Sequence, residues 1–327
     1  KHRHMSSSRV ILLGFLLVIA LGTMLLMLPI ATQDRDGASL TDALFTATSS
    51  VCVTGLVVQN TATYWSYFGQ AVIISLIQVG GMGVVTLAVA IAMFAGRKIG
   101  LMQRSTMQEA ISAPKVSGIV KLTSFILKGV FIIEFLGALV MYPVFARDVG
   151  WLKGIWYAVF HSVSAFCNAG FDIMGTEVEF SSLTMYASNA VINITIMALI
   201  VIGGLGFLTW DDIKTHGIHL RKYRMQSKVI FTVTAALIII PAAFFFFYEF
   251  SRPEWGELSV GERLLRSFFQ SVTPRTAGFN TVDLTALSEP SQVITIVLML
   301  VGGSPGSTAG GMKTTTIAVM VMTAIAV

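Results

Sequence analysis

Charged residues are scarce in this sequence: they make up 12% of its 327 residues, against about 25% in soluble globular proteins. Hydrophobic residues make up 54%, and the mean hydropathy is +0.77. This balance excludes a soluble globular protein and indicates an integral membrane protein. The net charge of +5 does not indicate nucleic-acid binding, because the basic residues lie in loops between apolar runs.

Cysteine is almost absent. Cys52 and Cys167 are too few for a disulfide framework and predict no redox role. The His, Asp and Glu residues form no cluster at membrane depth that could supply metal ligands or a catalytic base. We therefore expect a protein that is not an enzyme.

Long apolar runs dominate what is present. A helix needs about 20 mainly apolar residues to cross the hydrocarbon core of a membrane. Such runs occupy residues 10–30, 68–95, 119–145, 187–208, 229–250 and, with an interruption, 292–327. They predict an all-α bundle with several spanning helices, although the length alone would suggest two soluble domains.

Charge is distributed unevenly between the connections. The basic connections are residues 97–118, with Arg97, Lys98, Arg104 and Lys115, and residues 210–228, with Lys214, Arg221, Lys222, Arg224 and Lys228. The positive-inside rule predicts that both are cytosolic linkers. The opposite loops are acidic, as at Asp172, Glu177 and Glu254. Such acids would raise the cation concentration near an outer opening, although each one alone is explained as ordinary solvated loop charge.

A pattern occurs three times along the chain. Each copy is a short amphipathic run, then small or polar residues, then a glycine, and the copies read TDALFTATSSVCVTGL (41–56), WYAVFHSVSAFCNAGF (156–171) and LLRSFFQSVTPRTAGF (264–279). Gly55, Gly170 and Gly278 lie roughly 110 residues apart, which suits units of two spanning helices and their connections. The predicted units are residues 10–96, 119–209 and 229–327.

The short element of each unit cannot cross the membrane and must return to the side on which it entered. A backbone that leaves the helical conformation at this depth must be buried in protein or line a water-filled path. Glycine allows successive carbonyls to face one side, where a ring of them can replace the hydration shell of a monovalent cation. One such glycine alone would indicate a loop turn, but three in matching contexts predict a selectivity filter.

The last apolar run is interrupted by GGSPGSTAGGMK at residues 302–313. Five glycines and one proline are incompatible with a regular helix there. A phosphate-binding loop is disfavoured, because Met312 separates the glycines from Lys313 and no soluble strand precedes the segment. A fourth filter loop is also disfavoured, because the segment lies too close to Gly278 for a complete unit to intervene. The segment alone indicates a passive kink.

Three charged residues inside apolar or re-entrant stretches require an explanation. Lys128 and Glu134 are poorly spaced for a helical pair, so structural packing is favoured over an ion relay. Pro274 and Arg275 are expected to end the short helix of the third unit. The Arg275 side chain is expected to point away from the pore into a hydrogen-bonded structural role, because a guanidinium facing the pore would repel cations.

Together these phrases resemble the Trk/Ktr/HKT superfamily of potassium transporters, and within it the bacterial KtrB-type membrane subunits. SVTPRTAGFN, FHSVSAFCNAGF, QVGGMGVVT and GGSPGSTAGGMKTTT carry the resemblance, which extends over nearly the whole chain from about residue 10. The resemblance implies filter backbones at Val53, Thr54, Gly55, Asn168, Ala169, Gly170, Thr276, Ala277 and Gly278. It implies a gate in the broken segment, at Gly302, Gly303, Ser304, Pro305, Gly306, Ser307, Thr308, Ala309, Gly310 and Gly311.

The resemblance also implies an architecture and partners. Four helix, pore-loop, helix units would surround one pore in a bacterial cell membrane, assembled as a homodimer on a KtrA-like cytosolic nucleotide-binding ring. Three units are present here, and the fourth is expected past Val327, roughly a hundred residues beyond Gly278. Potassium would be the transported ion, with no covalently bound cofactor, and glycine at position 55 favours potassium over sodium. A secondary transporter that couples potassium to sodium or protons is the alternative.

Overall fold

The computed structural model describes residues 7–83, 86–87, 100–111, 118–176 and 178–326. Within these ranges the regular structure is helical, with isolated bridges but no β-strand. The α-helices are α1 Ser7–Leu26, α2 Leu40–Val51, α3 Tyr67–Met82, α4 Leu101–Ile111, α5 Ile119–Val149, α6 Trp151–Phe166, α7 Ala190–Gly204, α8 Phe207–His216, α9 Met225–Phe247, α10 Val260–Val272, α11 Glu289–Leu300 and α12 Thr314–Ala326. The predicted linker residues Arg97, Lys98 and Lys115, and the acidic Glu177, lie outside the described residues.

Within the described residues, three helical stretches are long and apolar enough to cross a membrane: Ser8–Leu26, Ile119–Val149 and Met225–Ser251. They match three of the predicted apolar runs. In each stretch most of the apolar window is left uncovered by the protein, as expected for surfaces that face lipid. The prediction of an all-α integral membrane protein is confirmed.

The predicted run 187–208 does not form one straight helix. Helix α7 ends at Gly204, and α8 leaves it at an angle of 96°. Gly206, with φ +87°, makes this bend, and a side chain there would crowd the carbonyl oxygen of Pro305. The apolar composition continues through Leu205 to Leu208, so hydropathy alone does not reveal the bend.

The main core lies around α6, which contacts α5, α7 and α3. Phe160 and Phe166 of α6 are completely buried in it. Ser162 of α6 donates a hydrogen bond to the backbone oxygen of Glu134 in α5, at 2.6 Å. A short polar side chain thus joins the two helices where their backbones approach closely, as is common between membrane helices.

The expectation for Lys128 and Glu134 concerns the same helix. Glu134 is only 5% exposed, whereas Lys128 is exposed, and no ion pair joins the two among the described residues. The position of Glu134 in the α5–α6 contact agrees with a packing role.

A buried carboxylate joins α9 to α11 at one end of the third predicted unit. Glu249 is completely buried and accepts hydrogen bonds from Ser291 Oγ at 2.5 Å, Trp255 Nε1 at 2.8 Å and Arg252 at 3.1 Å. The backbone N–H and the hydroxyl of Ser288, the N-cap of α11, also donate to it. The negative charge therefore lies at the N-terminus of α11, where the helix dipole stabilises it.

We predict that Glu249→Ala lowers the free energy of unfolding by about 2–4 kcal/mol, because several donors lose a charged acceptor. The measurement is the thermal unfolding midpoint of the purified protein in detergent. Glu254→Ala is the matched control, since Glu254 binds the same Arg252 but is 60% exposed. Equal midpoints for the two variants would contradict a structural role of Glu249.

Candidate ion pathway

Helices α2, α6 and α10 each lead into a short loop with the same pattern of left-handed residues. We call these the glycine loops: residues 52–56, 167–171 and 273–279. In each loop the final glycine and the residue two positions before it have positive φ: Val53 and Gly55 (53° and 77°), Asn168 and Gly170 (58° and 71°), and Thr276 and Gly278 (67° and 86°). Left-handed backbone at non-glycine residues is uncommon, so the shared pattern is a specific local structure.

A hydroxyl group closes each glycine loop in the same way. The side chain near the end of each short helix donates to the carbonyl of the residue after the glycine: Ser49 to Leu56 at 2.7 Å, Ser164 to Phe171 at 2.6 Å and Thr273 to Phe279 at 2.6 Å. The bonds fix each loop across the end of its own helix. The C-terminal ends of the three helices, which bear partial negative charge, therefore adjoin the loops.

The glycine loops lie side by side in chain order. A methyl group on Gly55 would overlap the carbonyl oxygen of Ala169, and one on Gly170 would overlap the carbonyl oxygen of Ala277. A methyl group on Gly278 would meet only Gly170 Cα, at 3.7 Å, among the described residues. Each of the first two glycines therefore permits the close approach of the next loop, in addition to its positive φ.

A cavity of about 150 Å³ opens where the three glycine loops meet. All three glycines, Gly55, Gly170 and Gly278, line it together with the polar residues Asp172 and Asn60. Asn60 Nδ2 donates to the Gly175 carbonyl at 2.7 Å, and Asp172 accepts from the Met174 N–H at 3.0 Å, so both side chains are held in place. The cavity therefore brings polar side chains beside all three glycine loops, and a polar cavity suits a partly hydrated cation.

Arg275 lies within the third glycine loop and is 5% exposed. Its Nε has no hydrogen-bond partner among the described residues, so the expected hydrogen-bonded role is not found at that atom. The residue lies three positions after Val272, the last residue of α10, whose terminal carbonyls offer a region of partial negative charge.

The interruption of the last apolar run separates α11 from α12. The intervening residues, 301–313, form what we call the broken segment. Its backbone is hydrogen-bonded to itself, through Gly302 N to the Met312 oxygen at 3.0 Å and Gly303 N to the Gly310 oxygen at 3.2 Å. The residues predicted as a gate therefore form a loop that folds back on itself. Gly311 of this loop approaches the third glycine loop, since a methyl group on Gly311 would lie 3.3 Å from Thr276 Cγ2.

Hydrogen bonds attach the broken segment to the second predicted unit. Ser304 N donates to the Gly204 oxygen at 2.9 Å and Thr308 N to the Gly203 oxygen at 3.2 Å, both at the end of α7. Thr308 Oγ1 also donates to the oxygen of Phe166, the last residue of α6, at 2.9 Å. The segment thus contacts the helix that leads directly into the second glycine loop.

Sequence reasoning missed a repeat at the ends of α3, α7 and α11. Near the end of each helix lies a Gly-Gly pair with another glycine close behind: GGMG at 80–83, GGLG at 203–206 and GGSPG at 302–306. A methyl group on Gly80 would overlap the Val51 oxygen, and one on Gly203 the Phe166 oxygen. Glycine therefore lets the second helix of a unit touch the last residue of the short helix in the same unit. The recurrence of a Gly-Gly pair after each glycine loop in the sequence was the available signal.

The chain belongs to the TrkH family of cation transport proteins, whose family model matches residues 5–326. It is a multi-pass protein of the bacterial cell membrane. It is similar to the potassium/sodium uptake protein NtpJ of Enterococcus hirae, at 40% identity over 98% of this chain and 70% of NtpJ.

Two further relatives extend the comparison. The Ktr system potassium uptake protein B of Bacillus subtilis is 39% identical over 97% of this chain and 70% of its own length. The crystal structure of the potassium transporter TrkH from Vibrio parahaemolyticus shares the fold, with a TM-score of 0.68 at 22% identity. That match covers 98% of this chain and 62% of the TrkH chain. The names of these relatives describe potassium uptake or transport.

We predict that Gly203→Ala destabilises the protein by about 1–3 kcal/mol, because the new methyl group must displace the end of α6. Gly204→Ala is the neighbouring control, since its methyl group would meet only Asn168 Nδ2, at 3.7 Å. Thermal unfolding of both variants in the same detergent measures the difference. A midpoint for Gly203→Ala as high as that of Gly204→Ala would show that α7 and α6 are not in tight contact.

Proposed function

We propose that this chain is a subunit of a potassium-selective uptake channel and has no enzymatic activity. The observation that supports this most directly is the arrangement of three glycine loops around one polar cavity, each with the same left-handed residues. The names of the relatives NtpJ and Ktr protein B, which refer to potassium uptake, agree with this choice of ion.

The proposed filter consists of backbone oxygens. Residues 53–55, 168–170 and 276–278 would face the ion and replace its hydration water, while the three helix C-termini contribute partial negative charge. Small side chains and glycine keep the path open, and the Ser49, Ser164 and Thr273 hydroxyls hold the loops in shape. The protein would thus select the ion by geometry and would not bind it with a charged side chain.

The proposed gate is the broken segment. Its hydrogen bonds to Gly203, Gly204 and Phe166 hold it in place, and Gly311 approaches the third glycine loop. Withdrawal of the segment would require the loss of a few hydrogen bonds and no unfolding of a spanning helix. An equilibrium of this size is readily shifted by a bound partner.

The proposed assembly follows the family resemblance. Units 10–96, 119–209 and 229–327 would be joined by cytosolic linkers 97–118 and 210–228, with a fourth unit completing the pore. A homodimer on a KtrA-like nucleotide-binding ring would regulate the gate.

A coupled transporter remains the second candidate, because the relative NtpJ is named for both potassium and sodium. The two are distinguished by potassium flux into liposomes with and without a sodium or proton gradient. A channel passes potassium along its own electrochemical gradient in every case. Flux that stops when the second gradient is removed would establish coupling.

We predict that Gly55→Ser lowers the ratio of potassium to sodium flux by at least several-fold, because a side chain there would displace the Ala169 carbonyl. Flux of both ions into liposomes measures the ratio. Gly256→Ser is the control, since Gly256 also has a positive φ, of 68°, but has open space around it. An unchanged ratio in Gly55→Ser would remove the first loop from the proposed filter.

We predict that Thr308→Val raises potassium flux about fivefold in the absence of a cytosolic partner, because it removes one hydrogen bond of about 1 kcal/mol from the closed gate. Thr323→Val is the control, since that hydroxyl bonds only within α12 at an exposed position. Deletion within residues 303–311 should raise flux further. A deleted protein that folds and conducts less than the parent would show that the segment supports the pore instead of closing it.

A further inference from the structure

The connector between α8 and α9, residues 217–224, exposes apolar and basic side chains side by side. Ile218 is 92% exposed and Leu220 is 60% exposed. Arg221 and Lys222, immediately beyond them, are also exposed. An isolated apolar residue at a surface needs no explanation, but two beside a pair of cations indicate a surface that meets a partner.

The position of this connector places it at the membrane surface. Helix α9, which follows it, begins the candidate span Met225–Ser251. Helix α8, which precedes it, lies at 96° to α7 and so runs across the direction of that helix. The basic residues of this connection favour the cytoplasmic side. The connector therefore lies where the headgroups of the cytoplasmic leaflet meet the protein.

The connector is a defined structure and not a loose loop. The Tyr223 hydroxyl donates to the Gly217 oxygen and closes the turn. Asp212 of α8, which is buried, accepts from the backbone N–H of Arg224 at 3.1 Å and from Ser227 Oγ at 2.6 Å. These bonds attach α8 to the first turn of α9, so the exposed side chains project from a fixed platform.

Most of the basic residues in this region are already engaged. Lys214 lies over the ring of Phe125 at 4.3 Å, Arg224 pairs with Asp211 at 2.9 Å, and Lys228 donates to the backbone oxygen of Arg221 at 2.8 Å. No hydrogen bond or ion pair occupies the side chain of Arg221 or Lys222 in the described part of the chain. These two cations are thus left available beside Ile218 and Leu220.

We propose that the connector binds anionic phospholipid of the cytoplasmic leaflet, with Arg221 and Lys222 at the headgroup phosphate and Ile218 and Leu220 in the boundary between headgroups and acyl chains. An anionic lipid offers both chemistries at this depth: negative charge for the cations and apolar contact for the aliphatic side chains. A soluble acidic partner would match the cations but would leave Ile218 and Leu220 without an apolar environment at the membrane surface.

Bound lipid would act on the broken segment through α8, and this step rests on the proposed gate. The first residue of α8, Phe207, donates its backbone N–H to the oxygen of Gly306 at 2.8 Å. Asp212, near the middle of α8, joins that helix to Arg224 of the connector. Lipid bound at the connector would therefore hold α8 where Phe207 makes this bond. We therefore expect anionic lipid to lower potassium flux in the absence of a cytosolic partner.

The binding test uses the purified protein in detergent and follows its thermal unfolding midpoint on addition of phosphatidylglycerol or phosphatidylcholine. We expect phosphatidylglycerol to raise the midpoint much more than phosphatidylcholine. In Arg221→Gln/Lys222→Gln the concentration of phosphatidylglycerol that gives the half-maximal increase should rise about tenfold or more. Arg221→Lys/Lys222→Arg should restore the response, and the control Arg147→Gln/Lys153→Gln, with the same loss of charge on exposed residues of α5 and α6, should respond as the parent does.

Equal responses of the parent and Arg221→Gln/Lys222→Gln to phosphatidylglycerol would overturn the proposed lipid site. So would loss of binding to a cytosolic subunit with the lipid response unchanged, since the surface would then bind protein.

Flux in liposomes with and without phosphatidylglycerol tests the second step, the action of bound lipid on the gate, separately. A lipid response that requires Arg221 and Lys222, without any change in flux, would keep the site and reject its action on the gate. A protein that binds lipid but passes no potassium would reject the proposed function alone.

Discussion

The structure depends on one constraint: backbone groups that leave a helix inside a membrane need partners, because lipid supplies none. Each glycine loop meets this constraint with one hydroxyl bond to its own helix, as in the 2.6 Å bond from Ser164 to the Phe171 oxygen. The three loops border a shared polar cavity, and in the proposed filter their remaining carbonyls face it. A cation and its water are the natural partners for such oxygens, so the same constraint that shapes the loops also supports the proposed function.

Glycine satisfies a second requirement, that of close approach between backbones. Gly55 and Gly170 bring successive glycine loops together, while Gly203 brings α7 against the end of α6. The end of α7 then offers the oxygens of Gly203 and Gly204 to the broken segment. The proposed filter and the proposed gate are thus in contact through the last turns of α6 and α7, and a movement of the broken segment would act close to the second glycine loop.

The sequence predicted the elements that depend on local composition. Apolar length predicted the spanning helices, and the repeated Gly-ended pattern predicted three short helices with matching loops. Hydropathy did not predict the 96° bend between α7 and α8, because Leu205 and Phe207 on either side of Gly206 are as apolar as a spanning helix. The attachment of the broken segment to Gly203 and Phe166 was equally hidden, since it joins residues more than a hundred positions apart and depends on tertiary packing. The roles of the filter and gate residues remain predictions.

The proposed filter is tested most directly by locating a potassium substitute in crystals of the protein. Crystals grown with rubidium or thallium in place of potassium would be measured at the absorption edge of the heavy ion, so that its anomalous signal marks its position. We expect a peak within coordination distance of the carbonyl oxygens of the three glycine loops, beside Gly55, Gly170 and Gly278. A well-ordered structure with peaks elsewhere and none among these oxygens would contradict the proposed filter.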